Sequence, residues 1–387
     1  MSRLAIGIVC YPTLGGSGVV AAELAAGLAE RGHRVHVIAS GAPGRTPLAP
    51  SVRLHTVAVP EYPLLAHAPY EMAVAGTIVD VASAYGIDVL NVHYAVPHAA
   101  SAYMACRVLG ADAPRCVVTL HGTDVTRVGL EPSIRGITRF AVNAADQVTV
   151  PSQFLRGAAA EILGADAAQR IAVLPNFVDI TAFAPAPSGS GRAVIDALFG
   201  GATDGPTLIH VSNFRPVKRT ADLVELLVRV RRSVPARLVL VGDGPDRAAL
   251  AAQVTARGLG DQVRLLGPVA DLPALLRHAD AFVLTSESES FGVAALEALS
   301  SGVPVFAYRV GGLPEVVSDD VGRLVEPFDT AGLAQAVREA VSDTDKREAL
   351  GRAARARALA LFRRDPAIDR YEAYFRRILD RGEGRLA

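Results

Sequence analysis

Short apolar runs alternate with longer mixed segments along almost the whole chain. In the first half the runs are Leu4–Val9, Val35–Ala39, Val89–Val92, Cys116–Leu120 and Gln147–Pro151, with helical patterns over Val19–Arg31 and Ala99–Leu109. Short continuous apolar runs predict strands buried on both faces. Strands separated by helices predict right-handed βαβ units and a parallel sheet. The turn-rich stretch from Pro185 to Gly191 (PAPSGSG) marks an interdomain linker or an exposed loop near one. Beyond it the pattern restarts with Thr207–Val211, a helix from about Thr220, Arg237–Val241, a helix from Pro245, Val263–Leu266, Ala281–Leu284, Val303–Ala307 and Gly322–Val325. That predicts a second doubly wound α/β domain. The expected division is 1–178 and 179–366, with a helical, Arg-rich tail, 367–387, crossing back to pack on the first domain.

A chain of 387 residues accommodates two such domains, and 50% hydrophobic with 20% charged residues describes a globular protein with a large core. The net charge of zero supplies no field for nucleic acid or an acidic membrane surface. Apolar runs are interrupted well before the ~18 residues of a membrane span. The N-terminus has a superficial likeness to a signal peptide. It lacks an A-x-A cleavage site and enters a glycine loop directly, so it reads as the first strand. Three cysteines, Cys10, Cys106 and Cys116, without metal or CxxC spacing, predict a reduced cytoplasmic protein. Of the 39 basic residues all but Lys218 and Lys346 are Arg, so a surviving Lys in a site signals a need for a compact point charge.

The candidate chemistry collects where strands end. Gly15-Gly16-Ser17-Gly18 follows the first strand and opens a helix, which offers N–H groups to an anion. The order is not G-x-G-x-x-G and no acidic residue ends the next strand, which disfavours a dinucleotide. His93-Tyr94 and His121-Gly122-Thr123-Asp124 follow apolar strands; Tyr94 and His121 are placed to reach a ligand, whereas His98 reads as structural and Asp124 as a loop brace. In the second half, Asn213, Arg215, Lys218 and Arg219 follow Thr207–Val211 and concentrate positive charge suited to a departing diphosphate. Gly242-Asp243-Gly244-Pro245 and Gly311-Gly312-Leu313-Pro314-Glu315 are further turns on the same rim. Between them, Glu289 sits in a loop and Glu297 about one turn into the following helix, a pair able to grip the hydroxyls of a sugar and a ribose. By itself that run equally fits a solvated acidic loop and a surface Glu. The one DxD triplet, Asp343-Thr344-Asp345, falls in a helical segment and is a poor metal site, so no metal or other cofactor is expected.

Glu289-x7-Glu297, Gly242-Asp243-Gly244-Pro245 and Gly311-Gly312-x-Pro314-Glu315 resemble the motifs of family 4 retaining glycosyltransferases over nearly the whole chain. Four further strings, Cys10–Gly18, His93–Ala99, His121–Asp124 and Ser212–Arg219, resemble the subfamily that makes N-acetylglucosaminyl malate in bacillithiol biosynthesis. The resemblance implies a GT-B fold, two Rossmann-like domains facing across a cleft, with UDP-N-acetylglucosamine as donor and L-malate as acceptor. It implies donor contacts from Gly16, Asn213, Arg215, Lys218, Gly242, Glu289, Ser290, Phe291, Gly292, Val293 and Glu297. Acceptor contacts fall to Ser17, Tyr94, His121, Thr123, Asn213 and Arg215, and catalysis to Glu289, His121, Lys218 and Arg215. Where the broader family commonly has a phosphate-binding Arg this chain has Asn213, so Arg215 is expected to take that duty. A front-face mechanism follows from the lack of a second candidate carboxylate in the first domain other than Asp124. A homodimer is consistent with the resemblance. The competing readings are the same donor with another acceptor such as inositol 3-phosphate, a UDP-sugar epimerase, and a silent nucleotide-sugar-binding module.

Overall fold

Ala5–Val9 (β1) is buried at all five positions, and its parallel pairing on both sides explains why no polar residue alternates along it. On one side lie Arg34–Ala39 (β2) and Val52–Thr56 (β3). On the other lie Val89–His93 (β4), Arg115–Thr119 (β5), Gln147–Val150 (β6) and Ile171–Val173 (β7), giving the order β3-β2-β1-β4-β5-β6-β7. The sheet belongs to the first of two units in this computed structural model, formed by residues 1–176 and 365–387. The structure describes residues 2–45, 47–60, 69–164, 169–187, 189–201 and 205–380.

The second unit, 177–364, holds Thr207–Val211 (β8), Arg237–Val241 (β9), Val263–Gly267 (β10), Ala281–Leu284 (β11), Val305–Tyr308 (β12) and Gly322–Val325 (β13) in the order β10-β9-β8-β11-β12-β13. Every pairing between named strands in both sheets is parallel. Each sheet therefore has one place where the strand order reverses, between β1 and β4 and between β8 and β11. Loops leaving neighbouring strands diverge there and open a crevice at the carboxyl edge, where α/β sheets bind ligands.

The strands expected from apolar runs are present, with ends shifted by one or two residues. Two were not anticipated: β3 is an edge strand of mixed polarity, and β7 is only three residues long. The first helix begins at Gly16 rather than Val19, since the Val19 N–H already bonds the Gly15 carbonyl at 3.0 Å. Helices Tyr70–Tyr85, Pro132–Asn143 and Gln153–Leu163 complete the crossovers of the first unit.

The unit boundary differs slightly from the expected 178/179. Val178 bridges to Arg363 and its N–H bonds the Phe362 carbonyl at 3.0 Å, which fastens 177–178 to the second unit. The 185–191 stretch is thus an exposed loop within that unit rather than the crossover itself, and Ser188 lies outside the described residues. Helix Arg364–Asp380 buries Ile368, Tyr371 and Phe375, and ties to the first unit through Arg31 to Asp369 at 2.8 Å and Arg376 to the Ser2 carbonyl at 2.8 Å. Residues 381–387 of the expected tail lie outside the described residues.

Candidate active site

At the β8/β11 switch point of the second unit, two loops are stitched together by their backbones. The Glu287 N–H donates to the Val217 carbonyl at 2.8 Å, and the Thr285 hydroxyl donates to the Lys218 carbonyl at 3.1 Å. This places Lys218 Nζ 2.6 Å from Glu289 Oε1, an oxygen that also accepts from Ser286 Oγ at 2.8 Å. The Lys and Glu side chains keep only 17% and 12% of their exposure, so the pair is largely shielded from solvent. Residues 71 apart in sequence thus form one charged centre.

The loop after β12 locks the same centre. Gly312 N–H donates to the Glu289 carbonyl at 2.8 Å, and Gly311 stands at φ +54° with its α-carbon so close that a β-carbon would collide with that carbonyl. The loop after β9 approaches similarly: Gly242, at φ +126°, faces the Ser212 carbonyl where a side chain would not fit. Gly242 therefore has a packing reason to be glycine in addition to the ligand contact expected of it. Asn213 and Arg215 are exposed on the β8 loop. With its amide oxygen turned toward the guanidinium, Asn213 accepts from Arg215 Nε at 2.9 Å and Nη2 at 2.6 Å.

Helix Val293–Ser300 starts after Gly292, and its first N–H groups belong to the set that a helix cannot satisfy internally. Phe291 plants its ring in the core at 2% exposure, edge-on to Phe362, leaving its backbone to the loop; Ser290 is half-buried. Glu297 is 1% exposed. Burying a charged side chain is costly unless it is paired or hydrogen-bonded, so at this depth Glu297 is no ordinary surface Glu. His210, within β8, bonds the Val283 carbonyl at 2.9 Å and Ser212 Oγ at 2.7 Å, and burial pushes its pKa down to about 4.

In the first unit Gly16 and Ser17 follow β1, Tyr94 follows β4, and His121 and Thr123 follow β5, all at the carboxyl edge of the sheet. Ser17 Oγ lies 3.4 Å from Thr13 Oγ1 in the glycine loop. Tyr94 adopts φ +77°, rare for a bulky residue, and such strain marks positions held by their surroundings. Its ring meets Tyr11 edge-on at 5.3 Å and His121 at 5.1 Å. The Asp124 carboxylate accepts from the Gly122 N–H at 2.8 Å and from the His121 and Ala95 N–H groups at 3.2 Å, bracing the loops that follow β4 and β5. Burial raises its pKa against the lowering effect of those bonds. Thr123 opens the short turn Thr123–Thr126 beside it. His98 is buried between the His93 carbonyl at 2.7 Å and the Tyr70 hydroxyl at 3.1 Å, a structural role. Burial holds the His121 pKa near 4, so the ring is neutral at physiological pH.

Sequence reasoning missed Ser286 as a Glu289 partner, His93 as a neighbour of His121, and Asn91 as the partner of His93. Asp343 caps helix Thr344–Leu361 by accepting from the Lys346 N–H at 3.0 Å, and Lys346 lies exposed near Glu339 at 3.8 Å, so neither is drawn to a sheet edge. Among the described residues no group of three His, Cys, Asp or Glu is arranged to hold a metal ion, and no helix is long and apolar enough to cross a membrane.

Two parallel α/β units with polar loops at the carboxyl edges of their sheets have the form of a GT-B glycosyltransferase. Residues 14–182 match the model of Glycosyltransferase Family 4 and residues 198–357 that of Glycosyl transferases group 1. The chain belongs to this glycosyltransferase family. It is 37% identical to N-acetyl-alpha-D-glucosaminyl L-malate synthase of Bacillus anthracis, over 97% of this chain and 98% of that protein. It is 34% identical to D-inositol 3-phosphate glycosyltransferase of Kineococcus radiotolerans, over 64% of this chain and 60% of the relative. Among solved structures, sucrose-phosphate synthase from Thermosynechococcus elongatus superimposes with a TM-score of 0.80 at 22% identity, covering 98% of this chain and all of that one.

Proposed function

We propose that the protein transfers N-acetylglucosamine from UDP-N-acetylglucosamine to the hydroxyl of L-malate with retention at the anomeric carbon, releasing UDP. The observation that carries this reading is the 37% identity to the malate synthase, which runs through both units, whereas the inositol-phosphate relative aligns with 64% of the chain. The part-buried Lys218–Glu289 pair supports a working donor site over a silent binding module.

In this reading Glu289 accepts hydrogen bonds from the sugar 3- and 4-hydroxyls, and the N–H groups of Phe291, Gly292 and Val293 face the donor, with Ser290, Gly16 and Gly242 close to it. Glu297 holds both ribose hydroxyls. Lys218 exchanges its partner Glu289 for the β-phosphate, and Arg215 with Asn213 adds charge there, so the departing diphosphate needs no metal. Ser17, Tyr94 and Thr123, with Asn213 and Arg215, receive malate, and His121 meets the sugar 6-hydroxyl. The bond from the anomeric carbon to the β-phosphate oxygen breaks and its electron pair leaves with UDP. The malate hydroxyl oxygen bonds the same face of that carbon, and its proton passes to the leaving phosphate oxygen. A trapped covalent glycosyl-enzyme would overturn this front-face step. The three buried free cysteines fit a reducing, cytoplasmic setting.

The test is incubation with UDP-N-acetylglucosamine and L-malate, inositol 3-phosphate or no acceptor, reading UDP release and product mass. Malate-dependent UDP release with the mass of the glycoside is expected. UDP release that ignores malate refutes the acceptor, and a product isomeric with the donor points to an epimerase.

A further inference from the structure

A run of side-chain hydrogen bonds leads from the middle of the first sheet to His121. Asn91, fully buried in β4, directs its amide nitrogen to the Val117 carbonyl at 3.3 Å and to Thr119 Oγ1 at 2.8 Å. A peptide carbonyl only accepts, so the neighbouring strand sets the orientation of the amide and leaves Oδ1 as an acceptor. That oxygen lies 3.0 Å from His93 Nε2, which must carry the hydrogen between them. His93 is fully buried, and burial keeps its imidazole neutral. Its Nδ1 then has only a lone pair to offer. His121 Nε2, 2.8 Å from that atom, is accordingly the protonated nitrogen of His121. The two rings lie within 22° of coplanar, as an in-plane lone pair demands.

We infer that Asn91 and His93 are positioning residues that hold His121 as its Nε2-protonated tautomer, leaving Nδ1 as an acceptor at the carboxyl edge of β5. An acceptor-only nitrogen takes the hydrogen of a hydroxyl and repels a carboxylate or phosphate oxygen. The network thus tunes this edge to a sugar hydroxyl and against the malate carboxylates. That consequence rests on the proposed transfer reaction; the tautomer does not.

The test begins with the full-length protein labelled with ¹⁵N-histidine, without substrate, at neutral pH. Long-range ¹H–¹⁵N correlation, with His121 assigned by its loss in His121→Asn, is expected to show Nε2 protonated and Nδ1 bare. An Nδ1-protonated, doubly protonated or averaged His121 overturns the inference, whether or not any sugar is turned over. His93→Asn puts an amide oxygen near the lost Nδ1, and is expected to keep the tautomer and turnover within about threefold. His93→Phe keeps a ring but offers no acceptor, and is expected to give a tautomer mixture with kcat lower by about tenfold, or roughly 1.4 kcal/mol. A folded His93→Phe protein with the wild-type tautomer and kcat overturns it as well. Should His93→Phe not fold, the wild-type spectrum alone decides. Failure of UDP-N-acetylglucosamine as donor refutes the proposed reaction and leaves the tautomer readout standing.

Discussion

Removing both partners of the Lys218–Glu289 pair should damage the second unit no more than removing either one alone. The two charges are 2.6 Å apart, which at an effective dielectric of about 20 is an attraction of roughly 6 kcal/mol. Desolvation of both groups cancels much of that gain, and a single truncation abandons a shielded charge at a cost of about 3 kcal/mol. Lys218→Met and Glu289→Gln are each expected to lose about that much stability. The double variant, which leaves no charge behind, should lose about 3 kcal/mol rather than about 6, a coupling of roughly 3 kcal/mol. Urea unfolding of the four proteins, followed by far-ultraviolet circular dichroism, measures it. Repeating the cycle at high salt should change the coupling little, because ions screen exposed pairs far more than shielded ones. Additivity within about 0.5 kcal/mol would refute the reasoning, since it would mean that water already solvates both groups in the folded protein.

Gly311→Ala adds a β-carbon against the Glu289 carbonyl at a backbone φ of +54°. The left-handed conformation alone costs roughly 1–2 kcal/mol, and displacement of the Glu289 loop should cut kcat about a hundredfold; wild-type melting and turnover would contradict the proposed lock. Acid should weaken the fold before carboxylates titrate. Burial depresses the pKa of His98 and His210 to about 4 from 6.5. The unfolded chain therefore binds their protons first, and stability is complete above pH 6.5 and is lost as pH falls toward 4. By pH 5 each accounts for roughly 2 kcal/mol, so the urea midpoint should drop between pH 7 and 5, and drop less in His210→Asn; a flat profile speaks against the assignment.

The second unit was the more legible half. The β11 run is apolar throughout and β8 is apolar apart from Thr207 and His210; both strands are fully buried because both faces are covered, and the chemistry-bearing residues follow them immediately. The polar edge strand β3 and the three-residue β7 escaped because neither offers such a run. The scarcity of lysine singled out Lys218, yet nothing in the chain says that its partner is Glu289. His93 stood in a marked motif without a role, since its neighbour His121 is 28 residues away and reaches it only because β4 and β5 pair with His93 opposite Thr119.

What the chain alone determined is the class of object: two doubly wound sheets, because apolar runs of strand length recur between helices, and glycine, basic and acidic residues at the strand ends. Tertiary structure decided which of those residues act together. Parallel strand order brings loops distant in sequence to the β1/β4 and β8/β11 switch points, and backbone hydrogen bonds between the loops set the side chains within bonding distance. The pairing of Lys218 with Glu289 and the proton position on His121 depend on burial and on neighbours across the sheet, which local sequence does not encode.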